Sequence, residues 1–394
     1  MFKDEQERLA FLLARQAEKM ARSPHAFVRG NTVQHYEWLR DLKIHMPEGP
    51  AIWICGDCHV GNLGPLADVK GNVEVQIRDL DQTVIGNPAH DIIRLALSLS
   101  SAARGSNLPG TVTARMIEEM LIGYEAGLLA ADGQTPVEEP AVVATVKREA
   151  LGRKWRHLAE ERLASVKPSI PLGNKFWAVS DEEKWNIGLL LDSQPVKSLI
   201  LSINKRSERA RVELVDAAYW IKGCSSLGKM RYAAIVHISG ERKDKLSLID
   251  IKEAVLSAAP PSDASAMPAH FGERVVAGAQ ALSPNLGKRM ASGDFLGKPI
   301  VVRELMPEDL KLDIEQFTRK EAVSAARYLS SVVGKAHGRQ MTPDTRKAWM
   351  KELQSRHTAD FAAPTWLWNT VLALLVRHEE AYLKHCRSAL HEAA

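Results

Sequence analysis

Residues 212–251 contain three runs rich in Val, Ile and Tyr (212–221, 230–238 and 246–251), separated by turn-forming segments at 223–228 and 240–244. Turns this short favour antiparallel neighbours, so the block is expected to form a meander, and a meander needs another layer to cover its faces. A further apolar run at 299–305 supplies another strand. The flanks are helical in period: 3–22, 32–42, 91–103 and 111–129 precede the block, and 271–282, 314–337 and 365–390 follow it. The expected fold class is therefore α+β, with a β-rich block between two helix-rich ones. At 394 residues, 45% hydrophobic and 25% charged, the chain is long enough for two domains or three.

A shorter strand carries chemistry at its end. Val73, Val75 and Ile77 alternate with Glu74, Gln76 and Arg78, and the next in-phase position is Asp79, followed by Leu80 and Asp81. Upstream, the apolar run 51–55 reads as a buried strand entering the loop Gly56-Asp57-Cys58-His59-Val60-Gly61-Asn62. Phosphoryl transfer needs a carboxylate beside the attacking hydroxyl and a hard oxygen ligand beside the nucleotide phosphates. An Asp and an Asn five apart in one loop have the spacing that supplies both. Asp57 is the candidate base, and Asn62, Asp79 and Asp81 are candidate magnesium ligands. His59 is expected to support the loop, and Asp91 to brace it from the start of a helix.

Far downstream, Gly223-Cys224-Ser225-Ser226-Leu227-Gly228 joins two expected strands, and Lys252 ends the next one. The arrangement resembles that of kinase-like folds, which implies a turn that covers phosphates, a strand lysine that grips them and a helix glutamate that pairs with the lysine. Gly223, Ser225, Gly228, Lys252 and Glu273 take those roles. Ser225 stands where a glycine would allow the closest approach to a phosphate. Arg29, within Phe27-Val28-Arg29-Gly30, can reach a phosphate or simply lie at the surface.

Residues 55–62 resemble the H-G-D-x-H-x-x-N loop of aminoglycoside phosphotransferases and choline kinases, with Cys55 at the first histidine. Asp79-Leu80-Asp81 is similar to their strand-end metal aspartate, and Gly86-Asn87-Pro88 through Asp91 resembles their G-D-P-x-x-D element. The resemblance implies a protein-kinase-like two-lobe fold that uses ATP and Mg2+. In such kinases the glycine turn and lysine come before the catalytic loop; here they follow it, so the implied fold is circularly permuted. On that reading 1–50 is a helical segment packing on the helical lobe and 51–206 holds the catalytic loop and metal ligands. Residues 207–310 form the β-rich nucleotide-binding lobe, and 311–394 complete the larger helical lobe. The helix ending Lys335-Ala336-His337 would then stand before the catalytic loop in space. Nearly end to end, the chain also resembles a bacterial family, domain of unknown function 2252. The stretches that carry this include Val302-Arg303-Glu304-Leu305 and Gly272-Glu273-Arg274-Val275-Val276.

The implied function is ATP/Mg-dependent phosphotransfer to a hydroxylated small molecule. Nucleotidyl transfer to a protein would use the same metal site with the nucleotide reversed. A nucleotide-binding pseudokinase is suggested by Ser225 and Cys55, and a metal-dependent hydrolase built on Asp57, His59, Asp79 and Asp81 would not need Lys252. A net charge of +4 gives no field that gathers nucleic acid unspecifically. The charged start of the chain lacks a signal-peptide core, and the longest apolar stretch, 366–376, is too short to span a bilayer, so a cytoplasmic location is expected. The four cysteines are expected to be reduced. Cys55-Gly56-Asp57-Cys58-His59 matches the haem-attachment and redox strings without the second ligand pair or export such chemistry uses.

Overall fold

The computed structural model describes residues 5–131, 133, 135–152, 169–203, 206–240, 245–306, 317–355 and 364–392. In chain order, helices α1 (Glu5–Ala21), α2 (Pro24–Val28) and α3 (Thr32–Asp41) lead to strands β1 (Ile52–Ile54), β2 (Leu63–Ala67), β3 (Val73–Ile77) and β4 (Val84–Gly86). Helices α4 (Ala89–Gly105), α5 (Gly110–Ala130) and α6 (Ala141–Gly152) follow. Then come β5 (Phe176–Ala178), α7 (Asp181–Asp192), α8 (Gln194–Ser202) and the meander β6 (Arg211–Trp220), β7 (Arg231–Ser239) and β8 (Lys245–Glu253). Helices α9 (Phe271–Leu282) and α10 (Pro284–Gly287), strands β9 (Met290–Phe295) and β10 (Lys298–Glu304), and helices α11 (Arg319–Gly338), α12 (Pro343–Leu353) and α13 (Thr365–Glu392) complete the order. The fold is α+β, with antiparallel sheets and a larger helical part.

The main sheet runs β5-β6-β7-β8-β10-β9, every pair antiparallel. Because side chains alternate along a strand, its two faces differ. One face presents Tyr232, Ala234, Val236, Ile249, Ile251 and Val302, a row that must be kept from water. It is covered by Ile187 and Leu191 of α7, Val196 and Ile200 of α8, and Leu12 of α1. Residues 176–202, expected with the helical lobe, thus belong with the sheet. The N-terminal segment, expected on the helical lobe, binds both parts. His385 and Tyr382 of α13 lie 2.8 and 3.0 Å from the Ala17 and Ala21 carbonyls, while Gln16 and Lys19 donate to the carbonyls of Cys224 and Gly223 at 2.9 and 3.0 Å. The sequence order suggested otherwise because an amphipathic helix does not reveal which apolar face it will meet.

On the other face Ala218, Trp220, Ala233 and Ile235 pack with Phe176 and Leu305. Towards one end the same face becomes charged, carrying Arg231, Asp250, Lys252 and Arg303. Arg303 stands directly across from Asp250 in the ladder, and Lys252 across from Arg231.

The helical part centres on α5 against α11. Gly123 and Gly127 on α5 and Gly334 on α11 leave no room for a Cβ, which would strike the partner helix's main chain at Arg327, Ser331 and Tyr124. The two helices therefore touch backbone to backbone. Helix α11 starts at a capping box, in which Thr318 caps Glu321 N and Glu321 answers to Thr318 N. The expected earlier start at 314 falls outside the described residues. The sequence reading lacked the edge strand β9, because Met-Ala-Ser-Gly-Asp-Phe has no alternation and is held by pairing with β10. No helix among the described residues is long and apolar enough to cross a membrane.

Candidate functional site

Helix α4 carries a polar stripe through an otherwise apolar surface: Asp91, Arg94 and Ser98, at spacings of three and four, face the loop that follows β1. Asp91 accepts from the main-chain N of Cys55 and Gly56 at 2.7 and 2.9 Å. Arg94 Nε donates to Asp57 Oδ1 at 2.8 Å, and Ser98 Oγ accepts from Val60 N at 3.1 Å. One helix face thereby fixes the loop at four points, Cys55, Gly56, Asp57 and Val60. Gly56 permits the bend, with φ of +74° and no space for a Cβ beside the Gln82 carbonyl. Asp91 is the expected brace, although Pro88 occupies the N-cap position. Behind it His337 Nε2 lies 3.1 Å from Asp91, and His337 Nδ1 lies 2.9 Å from the Tyr124 hydroxyl, which accepts from Trp349. The end of α11 thus stands directly behind the loop.

Arg94 was not singled out from the sequence. It is fully buried and also donates to Val28 O and Asn31, tying the α2–α3 corner to Asp57. The stripe was visible as polar residues at helical spacing, but nothing marked its partner. Burial raises the Asp57 carboxyl, with Arg94 opposing it. His59 is held neutral, well below the ordinary histidine range, by burial and by Arg29 and Arg94. Its Nε2 faces Asp57 Oδ2 at 3.9 Å, and its buried Nδ1 has no hydrogen-bond partner. Asn62 donates to the Asp57 main-chain carbonyl at 2.9 Å, closing the loop.

Strand β3 ends at Ile77, two residues before Asp79, and β8 brings Lys252 to meet the carboxylate. The Lys252 ammonium lies 3.2 and 3.3 Å from the two Asp79 oxygens and also pairs with Asp81. Burial disfavours ionisation of Asp79, but Lys252, Arg303 and Arg231 outweigh it and hold the carboxyl well below its usual range. Asp81 is pushed the other way, by burial and then by the Asp79 charge. The Asp79 side chain keeps 38% of its exposure and so remains open to a ligand. Glu273 does not join this cluster. It is exposed in the first turn of α9, where its main-chain N is capped by His270. The next residue, Arg274, turns inward instead and donates to the carbonyls of Thr83, Asp81 and Val255, so α9 holds the Asp79–Asp81 segment through main chain rather than pairing with Lys252.

A cleft of about 110 Å³ lies between the two parts. One wall is formed by Arg29, His59, Gly61, Asn62, Arg78 and Asp79, the other by Lys222, Gly223, Ser225, Ser226, Arg231 and Arg303. Trp220 positions two of these cations, with Lys222 at 4.2 Å and Arg231 at 4.9 Å from its ring centroid. Gly223, with φ of +91°, turns the loop over the cleft. Gly228 does not face it but lies under Leu9 and Leu13 of α1. Asp57 is not among the lining residues; His59 stands between it and the cleft.

Asp79 and Asn62, two oxygen donors on one wall, suit a hard cation. A second group, Cys55, Cys58 and Asp91, has ligand atoms within 4.8 Å of one another. Its carboxylate is already engaged by two main-chain N–H groups and His337. Both thiols are free and buried, and the Cys55 thiol is pushed well up by its contact with Cys58 and by burial.

Below the cleft Asp250 accepts from Arg231 at 2.8 and 2.6 Å and from Arg303 at 3.1 Å. Burial opposes its charge, yet the two guanidinium groups hold it well below the usual range. A depressed carboxylate stabilises the fold above its unfolded pKa of about 3.9, and the contribution fades as pH falls towards the folded value. Asp250→Asn should therefore be less stable than the parent by about 3 kcal/mol at pH 7. In urea melts the gap should narrow below about pH 4; a pH-independent gap would remove the ion pairs as its cause.

A family model described as "Uncharacterized protein conserved in bacteria (DUF2252)" matches residues 8–388. No curated protein and no solved structure matches the chain.

Proposed function

The chain belongs to the bacterial DUF2252 family, and we propose that it is an ATP/Mg-dependent phosphotransferase acting on a hydroxyl of a small molecule. The observation that carries this reading is the meeting of Lys252 with Asp79, 173 positions apart in sequence, beside a cleft bounded by the Gly223–Ser226 turn and Asn62. A circularly permuted, kinase-like two-lobe arrangement is part of the proposal. It is supported by the glycine turn and Lys252 on the sheet side facing Asn62 and Asp79 on the other. A cytoplasmic location, with nucleotide and a small acceptor as partners, goes with it.

In this reading Asp79 and Asn62 would hold magnesium, with Asp81 close behind, and the metal would neutralise charge on the transferring phosphate. Lys252 would exchange an aspartate oxygen for a phosphate oxygen. The turn at Gly223 and Ser225 would cover the phosphates with main chain. Arg94 holds Asp57 by Oδ1 and leaves Oδ2 directed towards His59, so the proton of the attacking hydroxyl would be drawn towards that buried carboxylate. The cleft has room for phosphates but falls below the roughly 300–1,000 Å³ of common ligand pockets, so the nucleoside would extend beyond it or the walls would move apart.

Mg·ATP should raise the melting temperature, since a ligand that binds only the folded state stabilises it by mass action. EDTA should remove the shift. Millimolar Mg·ATP without effect on melting, and without heat in calorimetry, would sink the proposal.

A further inference from the structure

The walls of the cleft hold five cationic side chains, and most nearby carboxylates are already taken. Asp250 engages Arg231 and Arg303, Glu304 is bound to Arg206 at 2.6 and 2.7 Å, and Asp57 is held by Arg94. Arg29 differs from these: among the described residues no carboxylate pairs with it, and its buried Nε has no hydrogen-bond partner. The buried Nδ1 of His59 lacks one too. The two orphan atoms converge, lying 3.6 and 3.2 Å from the point where a Cβ on Gly61 would stand. Arg78 lines the same wall, its guanidinium lying in the space left free by Gly64.

Their chemistry is complementary. Arg29 Nε is a charged donor, which an oxyanion satisfies. If the proton of neutral His59 sits on Nε2, towards the Asp57 carboxylate, Nδ1 is a bare acceptor, which a hydroxyl satisfies. We infer that this wall binds a small hydroxylated anion, a molecule with a phosphate or carboxylate group for Arg29 and Arg78 and a hydroxyl for His59. That molecule is the acceptor only if the phosphotransferase reading holds; the anion site rests on the cleft alone. A cationic acceptor such as choline or an aminoglycoside would be repelled here, despite the motif resemblance.

Calorimetric titration of the full chain separates the two ideas, using inorganic phosphate and glycerol 3-phosphate as anions and glycerol and choline as controls, each with and without Mg·ATP. Both anions should bind at millimolar concentration or tighter, glycerol 3-phosphate better than phosphate, and neither control should bind comparably. Arg29→Gln should weaken glycerol 3-phosphate by about tenfold or more and by more than it weakens Mg·ATP, and Arg29→Lys should fall between. Unliganded melting temperatures close to the parent's would show that both variants fold. Anion binding that persists while Mg·ATP fails to bind leaves the inference standing and removes the phosphotransferase reading. Mg·ATP binding with no anion heat up to about 10 mM overturns the inference. So does anion binding indifferent to Arg29, or choline binding as well as glycerol 3-phosphate.

Discussion

Arg94→Met should destabilise the protein by about 3–5 kcal/mol, one of the largest losses expected from any single replacement in it. The guanidinium is wholly buried and donates to Asp57, Val28 O and Asn31. Methionine can fill part of the volume but leaves the Asp57 carboxylate buried without its counter-ion. Removing one member of such a pair is costly because the other cannot recover its hydration. The same logic applies in reverse: Asp57→Asn strands Arg94, so an inactive Asp57→Asn protein speaks to catalysis only once it is shown to be folded. The double replacement should lose less stability than the two single losses added together, because the second change removes the charge the first left unpaired. Urea denaturation of the four proteins measures this, and a loss below about 1 kcal/mol for Arg94→Met would mean that the pair is solvated in solution.

Lys252→Met should lower basal Mg·ATP hydrolysis by a factor of about 10²–10³ and abolish stabilisation by Mg·ATP. Lys252 pairs with both Asp79 and Asp81, so its loss would remove the phosphate clamp of the proposed reading and leave two carboxylates facing one another. Binding of magnesium alone should persist or strengthen, since the competing ammonium is gone. That divergence separates phosphotransfer from metal-dependent hydrolysis. A hydrolase built on Asp57, His59, Asp79 and Asp81 would keep its turnover without Lys252, and retained ATP hydrolysis in the variant would favour it.

Asp79 was readable because a period-two pattern marks the strand that runs towards it, although the strand itself stops two residues earlier, at Ile77. Lys252 was readable for the same reason, at the end of β8. Their meeting was not, since ladder register and lobe packing bring together positions that no local pattern connects. Glu273 shows the limit of helix placement: one residue along the helix, Arg274 faces inward and Glu273 faces water, and a 100° step decides between them. Spacing alone puts Gly228 in one turn with Gly223, whereas its open Cα surface faces Leu9 and Leu13 of α1.

What the sequence alone determined is local in origin: the meander, the α+β class and the loop from Gly56 to Asn62, all of which follow from periodicity and turn chemistry within a few residues. Only the tertiary structure decided that Arg94 closes on Asp57, that 176–202 cover the sheet rather than join the helices, and that Arg29 and His59 share one point beside Gly61. Those outcomes depend on burial. A buried charge takes whichever opposite charge the packing brings to it, and that choice depends on how the two parts dock and not on any spacing along the chain.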